Sequence, residues 1–161
     1  MHPQDYSART RYRRPAAWYL RGQGLGVWMT SHGLAPRGAV TLEVAGRRSG
    51  EPRRTPVLLT RVGGTDYLVS LAGESQWARN VRAAGGRAVL RRRGDRPVRL
   101  AELSPPERAP VLAAYINREG KASAKAAART AQYYFGLGPD PSLEQIAAVA
   151  GFYPVFRVEA G

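Results

Sequence analysis

The fold is constrained most strongly by a series of short apolar runs, separated by glycine turns, that begins at residue 39. In AVTLEVAG, the side chains of Val40, Leu42 and Val44 alternate with other residues, which is the period of a half-buried β-strand. The later runs of this type are TPVLLTRV (55–62), TDYLVSLA (65–72), RAVLRRR (87–93), PVRLAEL (97–103) and PVFRV (154–158). Five or six short strands with such turns predict a small antiparallel barrel or sandwich.

Two hairpins are predicted within this series. Gly63-Gly64 is a tight turn that favours antiparallel pairing of the runs on either side of it. Gly94-Asp95-Arg96 is predicted to be the second turn. Pro56 stands near the start of its strand, where a missing N–H donor is tolerated.

Helices are predicted between the strands because capping residues precede segments with helical spacing. These segments are 75–85, with Ser75 as N-cap and Gly85 as stop; 104–120, with Ser104 and Glu107; and 142–151, with Ser142 and Gln145. Pro110 lies inside the second helix and predicts a kink or a later start. Residues 120–132 are rich in Ala and Lys and are predicted to be helical. The class is therefore α+β, an antiparallel barrel with peripheral helices.

Residues 1–38 differ in character from residues 39–161, which we interpret as one barrel domain. The N-terminal segment carries five arginines before residue 22, together with Trp18, Tyr19 and Trp28. It is predicted to be a basic, aromatic arm or short helix over the barrel, with peripheral contact to a membrane as an alternative. No apolar run approaches the roughly 20 residues of a membrane span. We therefore expect a cytoplasmic protein that associates with membranes, if at all, through this arm.

The net charge of the chain is extreme and points to an anionic partner. It is +13, and of 25 basic residues only Lys121 and Lys125 are lysines. Arginine forms forked hydrogen bonds with phosphate and carboxylate groups, although base composition of the gene is another source of the excess. The charge alone leaves nucleic acid, lipid and a small molecule open as partners.

Most familiar catalytic sets are missing from the sequence. There is no cysteine, and the only histidines are His2 and His32. No HExxH or G-x-S-x-G spacing occurs, so neither a metal site nor a serine nucleophile is predicted.

The turn GRRSGEPRRT (46–55) is the first candidate site. Glycine-rich turns present successive N–H groups that bind anions, and the amides of Gly46, Ser49 and Gly50 are expected to do so here. Guanidinium groups add charge-assisted bonds, and a hydroxyl is offered by Ser49 or Thr55. A solvated turn whose arginines keep an edge soluble is the alternative. The arginines of this turn are Arg47, Arg48, Arg53 and Arg54.

The helix at 75–85 is the second candidate. Trp77 with Arg79 and Asn80 offers an aromatic wall beside polar donors, and the helix N-terminus places Gln76 near an anion. Alternatively, Trp77 is simply a core anchor. Tyr133 and Tyr134 either line a pocket or form the edge of the core.

The order of these motifs resembles a known family. A strand, GRRSGEPRRTPV, a second strand, a GG hairpin, YLVSLAG and then WxxNVRAAGGRAVL occur in the order found in the deazaflavin-dependent nitroreductases, also called F-420-dependent quinone and nitro reductases. The resemblance covers about residues 40–105 and extends more loosely to YFGLGPD and YPVFRV. It implies a split β-barrel related to flavin-binding (FMN-binding-like) proteins. It also implies a deazaflavin cofactor, coenzyme F-420, with a phosphate and an oligoglutamate tail.

The resemblance also implies which residues bind the cofactor. Arg47, Arg48, Ser49 and Arg53 are expected at the phosphate and tail, and Gln76–Asn80 are expected to close the opposite side. Where some relatives have a lysine, this chain has Ala72. The complete set of implied positions is Arg47, Arg48, Ser49, Arg53, Arg54, Thr55, Pro56, Val57, Leu58, Val69, Ser70, Leu71, Ala72, Gln76, Trp77, Ala78, Arg79 and Asn80.

The implied reaction is hydride transfer from reduced F-420 to an electron-poor acceptor such as a quinone, nitro compound or enone. The protein then supplies placement and electrostatics, and needs no triad or metal. Ser70, Tyr133, Tyr134 or water is expected to supply the proton. The alternatives are a split-barrel protein that binds FMN or haem, a non-catalytic deazaflavin carrier and, less favoured, a nucleic-acid binder. Both a monomer and a homodimer remain open.

Overall fold

The computed structural model describes residues 38–120, 131–132 and 134–161, and within these residues six strands close into a barrel. Each strand pairs antiparallel with its neighbours in the order β1-β2-β3-β6-β5-β4. The strands are β1 (Ala39–Ala45), β2 (Pro52–Val62), β3 (Thr65–Val69), β4 (Arg87–Arg91), β5 (Asp95–Glu102) and β6 (Val155–Ala160). The helices are α1 (Gln76–Ala83), α2 (Pro105–Gly120) and α3 (Leu143–Val149), and a 3-10 turn follows at Ala150–Phe152.

The interior of the barrel is filled by alternate residues of the strands, as the period of two requires. Val40, Leu42 and Val44 of β1 all point inward, which confirms the alternation predicted from the sequence. Helix α1 adds Ala78 and Val81 to the same cluster. The remaining buried members come from the other strands and are Leu68, Ala88, Leu90, Val98, Leu100, Phe156 and Val158.

A second apolar cluster lies outside the barrel wall, between the strands and the helices α2 and α3. Leu112 of α2 and Phe135 are fully buried in it, and the ring of Phe135 lies 4.6 Å from that of Tyr153. Val155 belongs to this cluster while its neighbour Phe156 points into the barrel. The two sides of β6 therefore join the two cores, and an α+β barrel with peripheral helices is confirmed.

Several boundaries differ from the sequence-based prediction. Strand β2 begins three residues earlier, at Pro52, and β3 ends at Val69. The second hairpin turn is not 94–96, because Arg91 pairs with Asp95 and the tip is 92–94. Helix α2 starts at Pro105 and continues through Pro110, so the later start is wrong. Ser75 and Ser142 are N-caps as predicted.

Two predictions fall outside the described residues. The N-terminal arm (1–38) is represented only by Gly38, and the Ala- and Lys-rich segment only by its two ends. The division between the arm and the barrel domain therefore stays a prediction. In the part of the chain that the structure describes, no helix is long and apolar enough to cross a membrane.

Candidate functional site

The arginine-rich turn between β1 and β2 is a compact six-residue loop. Ala45 pairs with Pro52, and the N–H of Gly46 donates to the carbonyl of Glu51 at 2.8 Å. The N–H of Gly50, a residue with φ of +73°, donates back to the carbonyl of Gly46 at 2.8 Å. The amides of Gly46 and Gly50 are therefore bonded inside the turn, and the prediction that both face an anion is wrong.

Gly46 also lies in a tightly packed part of the loop. A Cβ atom at this position lies 3.2 Å from the carbonyl oxygen of Glu51 and 3.3 Å from Nε of Arg53. Such contacts are tighter than most real Cβ contacts, so a side chain here displaces its neighbours by a few tenths of an ångström. Arg47 and Arg48 of this loop are both exposed.

A cavity of about 790 Å³ lies where this turn meets α1. Its volume falls within the roughly 300–1,000 Å³ of ordinary small-molecule sites. The turn and the start of β2 form one wall, and α1 forms the other. Its described lining residues are Gly46, Arg47, Arg48, Ser49, Pro52, Arg53, Arg54, Thr55, Gln76, Trp77 and Asn80.

Helix α1 divides its side chains between the core and the cavity. The hydroxyl of Ser75 accepts the N–H of Ala78 and caps the helix. Gln76 and Asn80, four residues apart and hence on one face, line the cavity. Trp77 lines the cavity too, and its ring also lies 5.6 Å from that of Phe156 in the barrel core. Trp77 is thus both a wall of the cavity and an anchor in the barrel core.

Arg47 joins the turn to the helix. Asn80 Oδ1 accepts from the backbone N–H of Arg47 at 3.2 Å and from its Nη1 at 3.0 Å. Gln76 Oε1 accepts from Nη2 at 2.8 Å. Two neutral amide oxygens therefore fix the position of this guanidinium group.

The other three arginines of the turn are held differently. Arg54 Nε donates to Glu43 Oε2 at 2.6 Å, across the β1–β2 pair. Arg48 and Arg53 are exposed, and their side chains make no hydrogen bond or ion pair with the residues that the structure describes. Of the four charges, only that of Arg54 is paired with a carboxylate in the described structure.

An ion network fixes the far end of α1. Arg82 forms a forked pair with Glu102 on β5, at 2.7 Å for both bonds, and a second pair with Glu74 before the helix. The hydrogen bond from Arg82 lowers the pKa of Glu74, and the two carboxylates raise the pKa of Arg82. The helix that carries Gln76 and Asn80 is therefore anchored on both sides.

The structure brings together half of the residues implied by the resemblance. Among described residues, those lining the cavity are Arg47, Arg48, Ser49, Arg53, Arg54, Thr55, Gln76, Trp77 and Asn80. Those that do not line it are Pro56, Val57, Leu58, Val69, Ser70, Leu71, Ala72, Ala78 and Arg79. Ala78 is fully buried in the barrel core, and Arg79 is exposed. Their binding roles stay predictions.

The candidate proton donors are placed apart from one another. Ser70 is fully buried, and its hydroxyl donates to the carbonyl of Gly73 at 2.6 Å. Tyr134 is 36% exposed, whereas Tyr133 lies outside the described residues. No catalytic assignment follows, so all three stay predictions.

Sequence reasoning missed Pro52 and Glu43. Pro52 lines the cavity because β2 begins earlier than predicted. Glu43 pairs with Arg54 as well as with Arg91, and its place opposite Arg54 follows from the register of the hairpin. Pairing AVTLEVAG with RRTPV about the turn is the signal that could have found it.

The fold and the cavity define a small antiparallel β-barrel protein with an arginine-lined cleft at one end. Comparison with known proteins is more specific, because a model of the F420H(2)-dependent quinone reductase family matches residues 12–131. The chain belongs to this family, and it is an F-420-dependent oxidoreductase. No curated protein matches the sequence at a significant level.

Two solved structures show the same fold. An F-420-H2 dependent reductase is 21% identical with a TM-score of 0.50, covering 76% of this chain and 95% of its own. A protein of unknown function from Agrobacterium tumefaciens is 19% identical with a TM-score of 0.54, covering 84% of this chain and 53% of its own. The barrel predicted from the sequence is thereby confirmed.

The cavity fits the chemistry of coenzyme F-420. The cofactor carries a phosphate and carboxylates, and the described lining of the cavity holds four arginines and no carboxylate, with Glu43 pairing with Arg54 from outside that lining. An aromatic face, Trp77, stands on the opposite wall. A cationic wall that faces an aromatic ring flanked by two amides suits a ligand with an anionic chain and a flat ring.

Proposed function

We propose that this protein transfers a hydride from reduced F-420 to a quinone, with nitro compounds and enones as the alternative acceptors. Reduced F-420 supplies the hydride when it is bound. The protein contributes binding, orientation and charge. The observation that carries the proposal is the concentration of arginines at one cavity of the barrel, in a chain of this family.

Within the proposal, Arg47, Arg48 and Arg53 bind the phosphate and glutamate tail. Their charges have no carboxylate partner among the described residues, so they are free to pair with an anion. Trp77 borders the cofactor on the other side, on the helix that also carries Gln76 and Asn80. Arg54 contributes less, because its guanidinium already pairs with Glu43, which it shares with Arg91.

Hydride transfer requires that donor and acceptor lie close together. The two walls of this cavity, the turn and α1, are each held in place by their own bonds. The turn is closed by its own backbone bonds, and α1 is held by the Arg82 network. Rigid walls reduce the entropy that must be lost when cofactor and acceptor meet. The proton for the product comes from Ser70, Tyr133, Tyr134 or water.

The test is an anaerobic assay in which reduced F-420 is mixed with the protein and a panel of a quinone, a nitroaromatic compound and an enone. Re-oxidation of the cofactor is followed by its absorbance. We expect enzyme-dependent oxidation with the highest kcat/KM for the quinone. Failure with all three acceptors contradicts the proposed reaction, and preference for the nitro compound overturns the choice of acceptor.

A parallel titration with FMN separates the cofactor from the rival flavin. We expect F-420 to bind more tightly, because FMN has a phosphate but no glutamate carboxylates to pair with additional arginines. Tighter binding of FMN contradicts the proposed site. Sedimentation of the same samples decides between a monomer and a homodimer, both of which remain predicted.

A further inference from the structure

Arg47 has an unusual set of partners for a fixed arginine. Its three hydrogen bonds to described residues go to Asn80 Oδ1, twice, and to Gln76 Oε1, and both acceptors are uncharged amides. Among the described residues, no carboxylate lies within ion-pair distance of it. The guanidinium group is held in place while its full charge is kept.

The neighbouring Arg54 shows the alternative arrangement. Glu43 holds its guanidinium at 2.6 Å and offsets part of its charge at the same time, since Glu43 also pairs with Arg91. A carboxylate partner thus orients an arginine but weakens its attraction for an anionic ligand. An amide partner orients the arginine without that loss.

Asn80 is built to act as a fixed support. Its side chain is only 6% exposed, and its Oδ1 takes both the backbone N–H and the Nη1 of Arg47. Asn80 Oδ1 therefore holds both the backbone of the turn at Arg47 and the guanidinium group of Arg47. Ser75 caps the helix beneath it, and Arg82 ties the helix to Glu74 and Glu102.

We propose that Asn80 and Gln76 are positioning residues that aim the uncancelled charge of Arg47 into the cavity, toward the anionic part of the cofactor. This inference rests on the proposed function, in which Arg47 binds that part. It adds that the two acceptors must be amides. Carboxylates at the same positions would also hold Arg47, but their negative charge would weaken the attraction of Arg47 for the anionic part of the cofactor.

The first experiment compares Asn80→Ala with Asn80→Asp in fluorescence titrations with oxidised F-420. Loss of the support in Asn80→Ala weakens binding about 2- to 10-fold. Asn80→Asp retains an acceptor of the same shape but pairs with Arg47, and we expect it to bind more weakly than Asn80→Ala. If Asn80 only supports the fold, Asn80→Asp binds at least as well as Asn80→Ala, which overturns the inference.

Gln76→Glu repeats the charge change at the second acceptor, and Gln145→Glu is its matched control. Gln145 lies on α3, outside the residues that line the cavity, and a glutamate can still serve its capping box. We expect weaker binding for Gln76→Glu and affinity within about twofold of wild type for Gln145→Glu. Equal effects of the two variants contradict a local action on Arg47.

A double-mutant cycle separates support of Arg47 from direct contact with the cofactor. If Asn80 acts through Arg47, Asn80→Ala has little further effect, less than about twofold, once Arg47→Ala is present. If the amide of Asn80 contacts the cofactor itself, the two losses multiply, and the positioning role is overturned. Thermal melting of each variant without cofactor confirms that the compared proteins are folded.

Failure of this inference is distinguishable from failure of the proposed function. A wild-type protein that does not bind F-420 refutes the proposed function. A wild-type protein that binds, with Arg47→Ala weakened but Asn80→Asp unchanged, refutes only the positioning role.

Discussion

Two arginines of this barrel, Arg108 and Arg47, are held by several bonds each but in opposite surroundings. Arg108 is 6% exposed and donates to the carbonyls of Leu103, Ala150, Gly151 and Tyr153 and to Glu102 at 3.2 Å. Arg47 is exposed beside the cavity and is held by two amides. Arg108 donates hydrogen bonds to buried backbone carbonyls, whereas the positive charge of Arg47 faces the cavity without a carboxylate partner among the described residues.

The surroundings of the two residues explain this difference. Burial lowers the pKa of Arg108, and the nearby carboxylate of Glu102 opposes that effect. Its hydrogen bonds join the end of β5 to the chain after α3. Removal of its side chain is therefore expected to destabilise the packing of the helices on the barrel. Arg47 joins one turn to one helix and borders a cavity, so its loss reaches mainly a ligand.

The largest expected effect is on stability, from Arg108→Met. The change leaves four carbonyls without this donor and removes one partner of Glu102, and it is expected to cost about 3–5 kcal/mol of unfolding free energy. Urea denaturation measures it. Under conditions where the variant is folded, its affinity for F-420 stays near that of wild type. A loss below about 1 kcal/mol would mean that water replaces the guanidinium group easily. It would contradict the assignment of a structural role to Arg108.

Arg47→Ala is expected to show the opposite pattern. Loss of a charge-assisted bond to an anion weakens F-420 binding by about 1.5–3 kcal/mol. Unfolding free energy falls by only about 1 kcal/mol, because two side-chain bonds are lost while the backbone N–H of Arg47 keeps its bond to Asn80 Oδ1. Arg99→Ala is the control, since Arg99 is exposed on β5 opposite Arg87 and does not line the cavity. Equal losses of affinity in both variants point to non-specific charge attraction instead.

Removal of the two helix caps sharpens the comparison at a smaller scale. Ser75→Ala and Ser142→Ala each remove an N-cap hydroxyl and are expected to cost about 1 kcal/mol of stability. Only α1 carries cavity residues, so only Ser75→Ala is expected to weaken F-420 binding as well. Calorimetry and fluorescence titration measure the two quantities. Equal affinities for the two variants show that α1 keeps its position without the cap.

The smallest expected effect is on the pH dependence of the unfolding free energy at acid pH. Arg82 holds the pKa of Glu74 below its ordinary value of 4.5, so the ionised carboxylate stabilises the folded protein. This stabilisation is complete above the ordinary pKa and is lost as the pH falls through the lowered value. Glu74→Gln is therefore less stable than wild type at neutral pH, and the difference shrinks in acid. A difference independent of pH contradicts the ion pair as its source.

The strands and caps could be predicted from local sequence, because alternation, Ser75 and Ser142 act over a few residues. The second hairpin could not, because a glycine and an aspartate signal a turn only approximately. Pairing of Arg91 with Asp95 instead places the tip at 92–94, with Arg93 at φ of +58°. Local preference would put glycine there, so strand register overrides it.

The candidate site shows the same division. The arginines and the WxxN helix were predicted as one site through the resemblance, and the cavity brings them together. The partners of each arginine were not predicted. Asn80 is 33 residues from Arg47, and three of the four carbonyls that hold Arg108 lie 42 to 45 residues away, so only the packed fold reveals them.

The central claim is that the arginine turn binds the anionic part of the cofactor. The direct measurement compares the affinity of F-420 with that of the deazaflavin riboside that lacks phosphate and glutamates, in wild type and Arg47→Ala. We predict that wild type strongly prefers the complete cofactor and that Arg47→Ala loses much of this preference. Equal affinity of wild type for both ligands, or an undiminished preference in Arg47→Ala, contradicts the claim.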